Sequence, residues 1–138
     1  MATVGAPETV PLVGSDDVTR ARHRVRDRAV EMGFNLVAQT KIVTAASELA
    51  RNTHLHGGGG LLTITEVQDG PRRGLRLEFT DSGPGIADVE LALTEGWTSG
   101  GGLGLGLSGT RRLVDRFEIE STPGTGTRIV VVQWLTRR

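Results

Sequence analysis

Residues Leu75 to Thr80 alternate without a break: Leu75, Leu77 and Phe79 fall on one side of an extended chain, Arg76, Glu78 and Thr80 on the other. A strand with that pattern has one buried face and one wet face. Phe117-Glu118-Ile119-Glu120 repeats it. Such strands belong in a largely antiparallel sheet covered by helices on one side, and they exclude the doubly covered parallel sheet of a dinucleotide-binding fold. The expected class is therefore α/β of the α+β kind: a two-layer sandwich with a mixed, mostly antiparallel sheet and helices on one face.

The other elements fit around those strands. Glu8 to Val13 predicts a short edge strand weakened by Pro11, and Ser15-Asp16 an N-cap for a helix from Asp17 to Met32. In that helix Val18, Ala21, Val25, Ala29 and Met32 make one apolar face, while Arg20, Arg24 and Arg28 form a row with Arg22 and Arg26 beside it. The arginine face reads either as solvated or as a docking surface for an acidic partner. Gly33 stops the helix, and Asn35 caps a second one over Leu36 to Leu55, with Leu36, Val37, Ile42, Val43, Ala46, Leu49 and Ala50 as its core side. A hairpin follows, Leu61 to Val67 and Leu75 to Thr80 around Asp69-Gly70-Pro71. After the glycine-rich stretch come a helix over Leu105 to Asp115 and strands over Arg116 to Ser121 and Thr127 to Leu135.

Glu48 and Asn52, four apart, project from the same face of the second helix, with Lys41 two turns earlier on nearly that stripe. A carboxylate stacked with a carboxamide is either a polar helix edge or a site for Mg²⁺ chemistry, the amide oxygen being a hard neutral ligand and the carboxylate a proton acceptor. His54 and His56, two apart, do not face each other and read as helix-end residues, not metal ligands. Asp81-Ser82-Gly83-Pro84-Gly85-Ile86 places a carboxylate at a strand end in a glycine-proline turn. It is either a tight turn or a reader of the adenine amine, with the glycines letting a flat base lie against backbone. Asp88 to Gly102 suits a lid, with Trp97 as its anchor or as a core residue.

Thr98 to Gly109 carries six glycines and leads into a helix, a loop suited to wrapping phosphates because glycine permits close backbone approach and a helix start attracts anions. Gly104 to Gly109 matches G-x-G-x-x-G literally, yet no strand precedes it, so a Rossmann site is rejected. Lys41 is the sole lysine, which excludes a Walker A loop, and neither H-R-D nor D-F-G occurs. The 138 residues suit one domain, 1–138, with 16 basic residues balancing 16 acidic ones. Nothing in that balance favours nucleic acid or a membrane surface. With no leader-like start and no apolar run long enough to span a bilayer, the expected compartment is the cytoplasm.

Four signals occur in order: Glu48-x-x-x-Asn52, Asp81-x-Gly83-x-Gly85, the Gly101 to Gly109 loop, and Gly124-Thr125-Gly126-Thr127. Together they resemble the N, G1, G2 and G3 boxes of the GHKL ATPases, whose ATP-binding domain has the Bergerat fold. The resemblance covers nearly the whole chain. Ser47-Glu48-Leu49-Ala50-Arg51-Asn52, Gly96-Trp97-Thr98-Ser99 and Gly101 to Leu107 are most similar to the RsbT-type switch-protein kinases. That likeness implies an ATP-dependent protein serine/threonine kinase of a bacterial partner-switching stress pathway, phosphorylating STAS-domain proteins and activating a PP2C-type phosphatase. The alternatives are an anti-sigma factor that sequesters a sigma subunit and a non-catalytic ATP-sensing module. Carried onto this chain, the resemblance makes Asn52 a Mg²⁺ ligand and Glu48 the general base. It has Asp81 read the adenine amine above Gly83 and Gly85, and Thr127 support adenine directly or through water. Gly101, Gly102, Leu103, Gly104, Leu105 and Gly106 close over the triphosphate.

Overall fold

The computed structural model describes residues 1–93 and 106–135. Their five strands are β1 (Ala2–Leu12), β2 (Gly60–Asp69), β3 (Arg72–Asp81), β4 (Arg116–Thr122) and β5 (Gly126–Trp134). They form one sheet in the order β1-β2-β3-β5-β4, and every pairing among the described residues is antiparallel. Helices α1 (Ser15–Met32) and α2 (Leu36–Leu55) pack on each other, and the short α3 (Val89–Ala92) and α4 (Leu107–Leu113) complete the helical layer. The two-layer sandwich is the one that the strand alternation calls for.

The core lies between the layers. Leu62 and Ile64 of β2, Leu75, Leu77 and Phe79 of β3 and Ile129 and Val131 of β5 meet Ala21, Val25 and Ala29 of α1 and Ile42, Ala46 and Leu49 of α2. The far face of the sheet carries no helix among the described residues, yet Val130 and Val132 are buried there. In the strand register they are flanked by Arg76, Glu78, Arg116 and Glu118, and an ion-pair ladder runs from Arg76 through Glu78 and Arg128 to Glu120. Long charged side chains cover the valines with their methylene stems and keep their heads in water. That is how a wet face of this sheet stays ordered without a third layer.

Local chemistry sets the boundaries. Asn35 caps α2 as expected, its Oδ1 accepting the Ala38 N–H at 2.8 Å, and Gly33, at φ 90°, closes α1. The cap of α1 differs from expectation: Gly14 is the N-cap, and the Asp17 carboxylate reaches back to accept the Val13 and Gly14 N–H groups, each at 3.0 Å. A carboxylate in the first turn satisfies two orphan donors, so neither Ser15 nor Asp16 is needed as the cap. Strand β1 begins at Ala2, well before Glu8, because it continues past an irregularity between Val4 and Glu8 to pair Val4 with Glu66 and Thr3 with Val67. Leu36 and Val37, expected in the core, are 74% and 65% exposed; at about 100° per residue they stand off the arc of α2 that Ile42, Ala46 and Leu49 bury, whereas Ala38 of the same turn packs on the core. Helix α4 is shorter than Leu105 to Asp115, since Val114 is already extended and Asp115 donates its N–H to Val132 O at 3.1 Å, entering the sheet.

The arginine row of α1 is turned toward the protein itself. Arg24 and Arg28 converge on Glu8 of β1, Arg20 on Asp17, and Arg24 and Arg28 also on Asp27 and Glu31. Arg24 and Arg28 clamp helix to strand through Glu8, while Arg20 pairs within its own helix and stays largely exposed, as does Arg26.

Candidate functional site

A cleft of about 410 Å³ opens between the C-terminal half of α2 and the ends of β3 and β5. That volume is of the roughly 300–1,000 Å³ order of small-molecule sites. Its walls are mainly apolar, with Phe79, Ile86, Leu91, Leu107 and Ile129 among them, and its polar groups include Asn52, Thr53, His56, Asp81, Asp88 and Thr127. A flat apolar group with a polar edge fits such a lining.

Asp81 is held at the end of β3. Its Oδ1 accepts the Gly83 N–H at 3.0 Å and the Thr127 N–H at 3.2 Å. Oδ2 has no hydrogen-bond partner among the described residues. The carboxylate is thereby oriented by backbone, with one oxygen left to accept a hydrogen bond from a ligand. Its back is closed by Gly57, where a methyl group would stand 2.4 Å from Oδ2. Gly57 follows directly from the α2 end, its N–H donating to Asn52 O at 3.1 Å beside that of His56 at 2.8 Å.

Gly83 and Gly85 pack against the backbone of neighbouring turns. A methyl at Gly83 would lie 2.5 Å from Gly57 O, and one at Gly85, whose φ is 76°, would lie 2.4 Å from Thr122 O. Both glycines therefore let two turns meet backbone to backbone. Thr127 lines the cleft opposite Asp81 in the strand register, and its Oγ1 is 2.8 Å from Ser121 Oγ. Ser121 also accepts the Ile86 N–H at 2.7 Å, so one hydroxyl ties β4, β5 and the Asp81 turn together.

On the helical side, Asn52 is buried and lines the cleft, whereas Glu48, one turn earlier, is not among the lining residues. The Glu48 carboxylate instead takes Arg51 Nη2 on both oxygens, and Gly106, the residue before α4, packs against it. Gly106 is thus brought to Glu48. Gly101, Gly102, Leu103, Gly104 and Leu105, with Trp97, lie outside the described residues.

Several site residues carry no motif of their own. Gly57, Ser121, Phe79, Ile86 and His56 emerge only when the strands are paired, although Gly57 opens a run of four glycines whose need is visible in the sequence. His56 is not a loose helix end: it caps α2 and lines the cleft. Among the described residues no group of three or more His, Cys, Asp or Glu side chains could hold a metal. Asn52, whose carboxamide is a hard neutral oxygen ligand, lines the wall and suits Mg²⁺ that arrives with phosphates, since Mg²⁺ takes only one or two protein ligands and shares the rest with substrate and water. Among the described residues no helix is long and apolar enough to cross a membrane.

A model of the "Histidine kinase-, DNA gyrase B-, and HSP90-like ATPase" family matches residues 37–137. The chain is similar to the serine/threonine-protein kinase RsbT of Bacillus subtilis, with 44% identity over 86% of this chain and 90% of that one. It is also similar to the anti-sigma F factor of Clostridium acetobutylicum, at 32% identity over 87% of each. Among solved structures, one of the RsbU and RsbW domains of a Mycobacterium tuberculosis protein superposes with a TM-score of 0.69 at 20% identity, over 97% of this chain and 34% of that longer one. The catalytic domain of the histidine kinase ThkA superposes with a TM-score of 0.54 at 18% identity, over 94% of this chain and 97% of that one.

Proposed function

The chain belongs to the histidine kinase-, DNA gyrase B- and HSP90-like ATPase family, and from that membership we propose that it phosphorylates STAS-domain proteins on serine or threonine in a partner-switching pathway. It is an RsbT-like, ATP-dependent serine/threonine kinase. The observation that carries the reading at the site is the Asp81 carboxylate, which lines the cleft, is held through Oδ1 by two backbone N–H groups and has no hydrogen-bond partner for Oδ2 among the described residues.

In this reading residues 1–138 act as one cytoplasmic catalytic domain. Asp81 Oδ2 accepts the exocyclic N–H of adenine, the base lies over Gly83 and Gly85 between Ile86 and Leu107, and Thr127 supports its edge. Asn52 holds Mg²⁺, which supplies neutralisation of the phosphate charge. Gly101, Gly102, Leu103, Gly104, Leu105 and Gly106 are assigned to the triphosphate from sequence. Glu48 takes the proton of a partner's serine or threonine hydroxyl as that oxygen bonds to the γ-phosphorus and the bond to the ADP oxygen breaks. Once released from its STAS-domain partner, the kinase activates a PP2C-type phosphatase.

The similarity to anti-sigma F factors favours one second reading, that the same ATP site serves a chain that sequesters a sigma subunit. A non-catalytic ATP sensor is disfavoured by the presence of both Glu48 and Asn52. The experiment is to incubate the protein with γ-labelled ATP and the STAS-domain proteins of its own cell, then treat the product with acid and with alkali. Acid-stable, alkali-labile label on a STAS-domain protein is expected. Label that stays on this chain, or a stable complex with a sigma subunit and no STAS phosphorylation, overturns the kinase reading.

A further inference from the structure

Arg51 has no part in the chemistry assigned above, and we propose that it is the positioning residue that holds Glu48 for proton transfer; the inference rests on the reading of Glu48 as the base. Arg51 Nη2 donates to Glu48 Oε1 at 2.7 Å and to Oε2 at 2.9 Å. On its other side the carboxylate meets Gly106, where a methyl group would stand 2.4 Å from Oε2 and 2.7 Å from Cδ and Cγ. The end of the glutamate chain is therefore boxed between a cation one turn along its own helix and the glycine that starts α4.

A glutamate at the rim of a cleft has three side-chain torsions to lose before it can meet a hydroxyl in one geometry. Among the described residues neither the cleft wall nor a backbone N–H fixes this one, in contrast to Asp81. The cation that meets the carboxylate among the described residues is Arg51, one turn along, and not Lys41, two turns earlier on nearly the same stripe. The arginine side chain is 55% exposed and the glutamate 24%. An ion pair so open to water adds little to folding. What it supplies is position: with both oxygens on Arg51 Nη2, the place of the carboxylate head is set, and Gly106 beside Oε2 leaves the space that this placement needs. In the transfer step the hydroxyl proton passes to Glu48, while Arg51 neither gains nor loses one.

The test measures transfer to the STAS-domain acceptor at saturating Mg²⁺–ATP, together with the KM for ATP, in Arg51→Ala, Arg51→Lys, Glu48→Gln and the Arg51→Ala/Glu48→Gln pair. Arg51→Ala should lower kcat about 10- to 100-fold, the order expected from misplacing a catalytic group by an ångström, with KM for ATP unchanged. Arg51→Lys should recover part of the loss. In the Glu48→Gln background, Arg51→Ala should add nothing, since the group it positions is already gone. A wild-type or raised kcat in Arg51→Ala overturns the proposal, as does a loss confined to KM or one that is undiminished in the Glu48→Gln background. Wild-type turnover in Glu48→Gln would instead defeat the base assignment itself. Arg51 is exposed on α2, and a thermal melt of Arg51→Ala matching the parent separates positioning from folding.

Discussion

At the sheet end of the cleft, Asp81, Thr127 and Ser121 are joined to one another and to the Gly83 and Ile86 backbone by hydrogen bonds between 2.7 and 3.2 Å. On the helical side, Glu48 stands on one ion pair with an exposed arginine and one glycine contact. The first arrangement is a hydrogen-bonded network joining three elements; the second is a long side chain that rests on one neighbour of its own helix and on the start of α4. A site built this way separates two tasks. In the proposed reading the sheet end, through the half-buried and hydrogen-bonded Asp81, decides which nucleotide fits, and the helical side decides how fast phosphate moves. Each prediction below breaks or sharpens that division.

The largest effect is expected at the sheet end. Adenine offers an amine where guanine offers a carbonyl, and the open oxygen of Asp81 repels a carbonyl. Because Asp81 is fixed by two N–H groups, it cannot turn away to accommodate the wrong base. ATP should bind tighter than GTP by about 10⁴, the scale set by sites whose buried polar groups are left unpaired. Equal affinities in a competition titration would show that Asp81 does not read the base.

On the helical side, Glu48→Gln should leave nucleotide affinity near that of the parent and lower transfer by about 10²–10⁴, the usual worth of a general base. The side chain keeps its length, and Glu48 does not line the cleft, so binding has no reason to change. If affinity falls as far as rate does, the two halves are not separate, and Glu48 contacts the nucleotide.

Much of this arrangement was legible before the structure, and the pattern of what was not is physical. Asn35 and Gly33 gave the α2 start and the α1 stop because caps are local chemistry, and the Leu75 to Thr80 alternation gave the covered face because strand period is local too. Asp81, Gly85, Asn52 and Thr127 were visible as motif residues and do line one cleft, while Gly83, of the same motif, packs on the Gly57 backbone. Gly57 and Ser121 were not, since their roles exist only across strands: Gly57 matters because Asp81, twenty-four residues later, packs against it. Leu36 and Val37 misled for the opposite reason, as apolar residues whose place round the helix lies off the arc that Ile42, Ala46 and Leu49 bury. The arginine row could not be resolved from sequence, because its counter-ion, Glu8, belongs to a strand whose extent depends on pairing with β2.

Ser121→Ala tests the rigidity of the sheet end on a smaller scale. The substitution removes the acceptor for the Ile86 N–H and the partner of Thr127 Oγ1. One such loss costs about 1 kcal/mol. ATP affinity should fall about fivefold to tenfold, with transfer at saturating ATP unchanged. A fall in saturated rate with affinity intact would mean that the sheet end also sets the reacting geometry.

The smallest effect lies away from the cleft, in the clamp between α1 and β1. Arg24 donates to Glu8 from Nε at 2.5 Å and from Nη2 at 3.2 Å, and Arg28 adds a third contact at 3.4 Å. The Arg24 hydrogen bond foremost, then its charge and the Arg28 contact, hold the Glu8 carboxyl below the usual glutamate value, against an upward push from burial. A carboxyl whose folded value is depressed binds fewer protons folded than unfolded, so its stabilisation is present above the unfolded value and is lost as pH falls through the folded one. The unfolded value is about 4.3. The clamp should therefore contribute fully near neutrality and fade from about pH 4 downward, by up to ~1 kcal/mol for a pair that remains partly open to water. Thermal melts of the parent and of Glu8→Gln should differ at pH 7 and converge in that acid window, while ATP affinity at pH 7 stays the same in both. A melting difference that persists undiminished below the window would assign the clamp to packing of the arginine stems, and an altered ATP affinity would tie the α1 clamp to the cleft that it lies apart from.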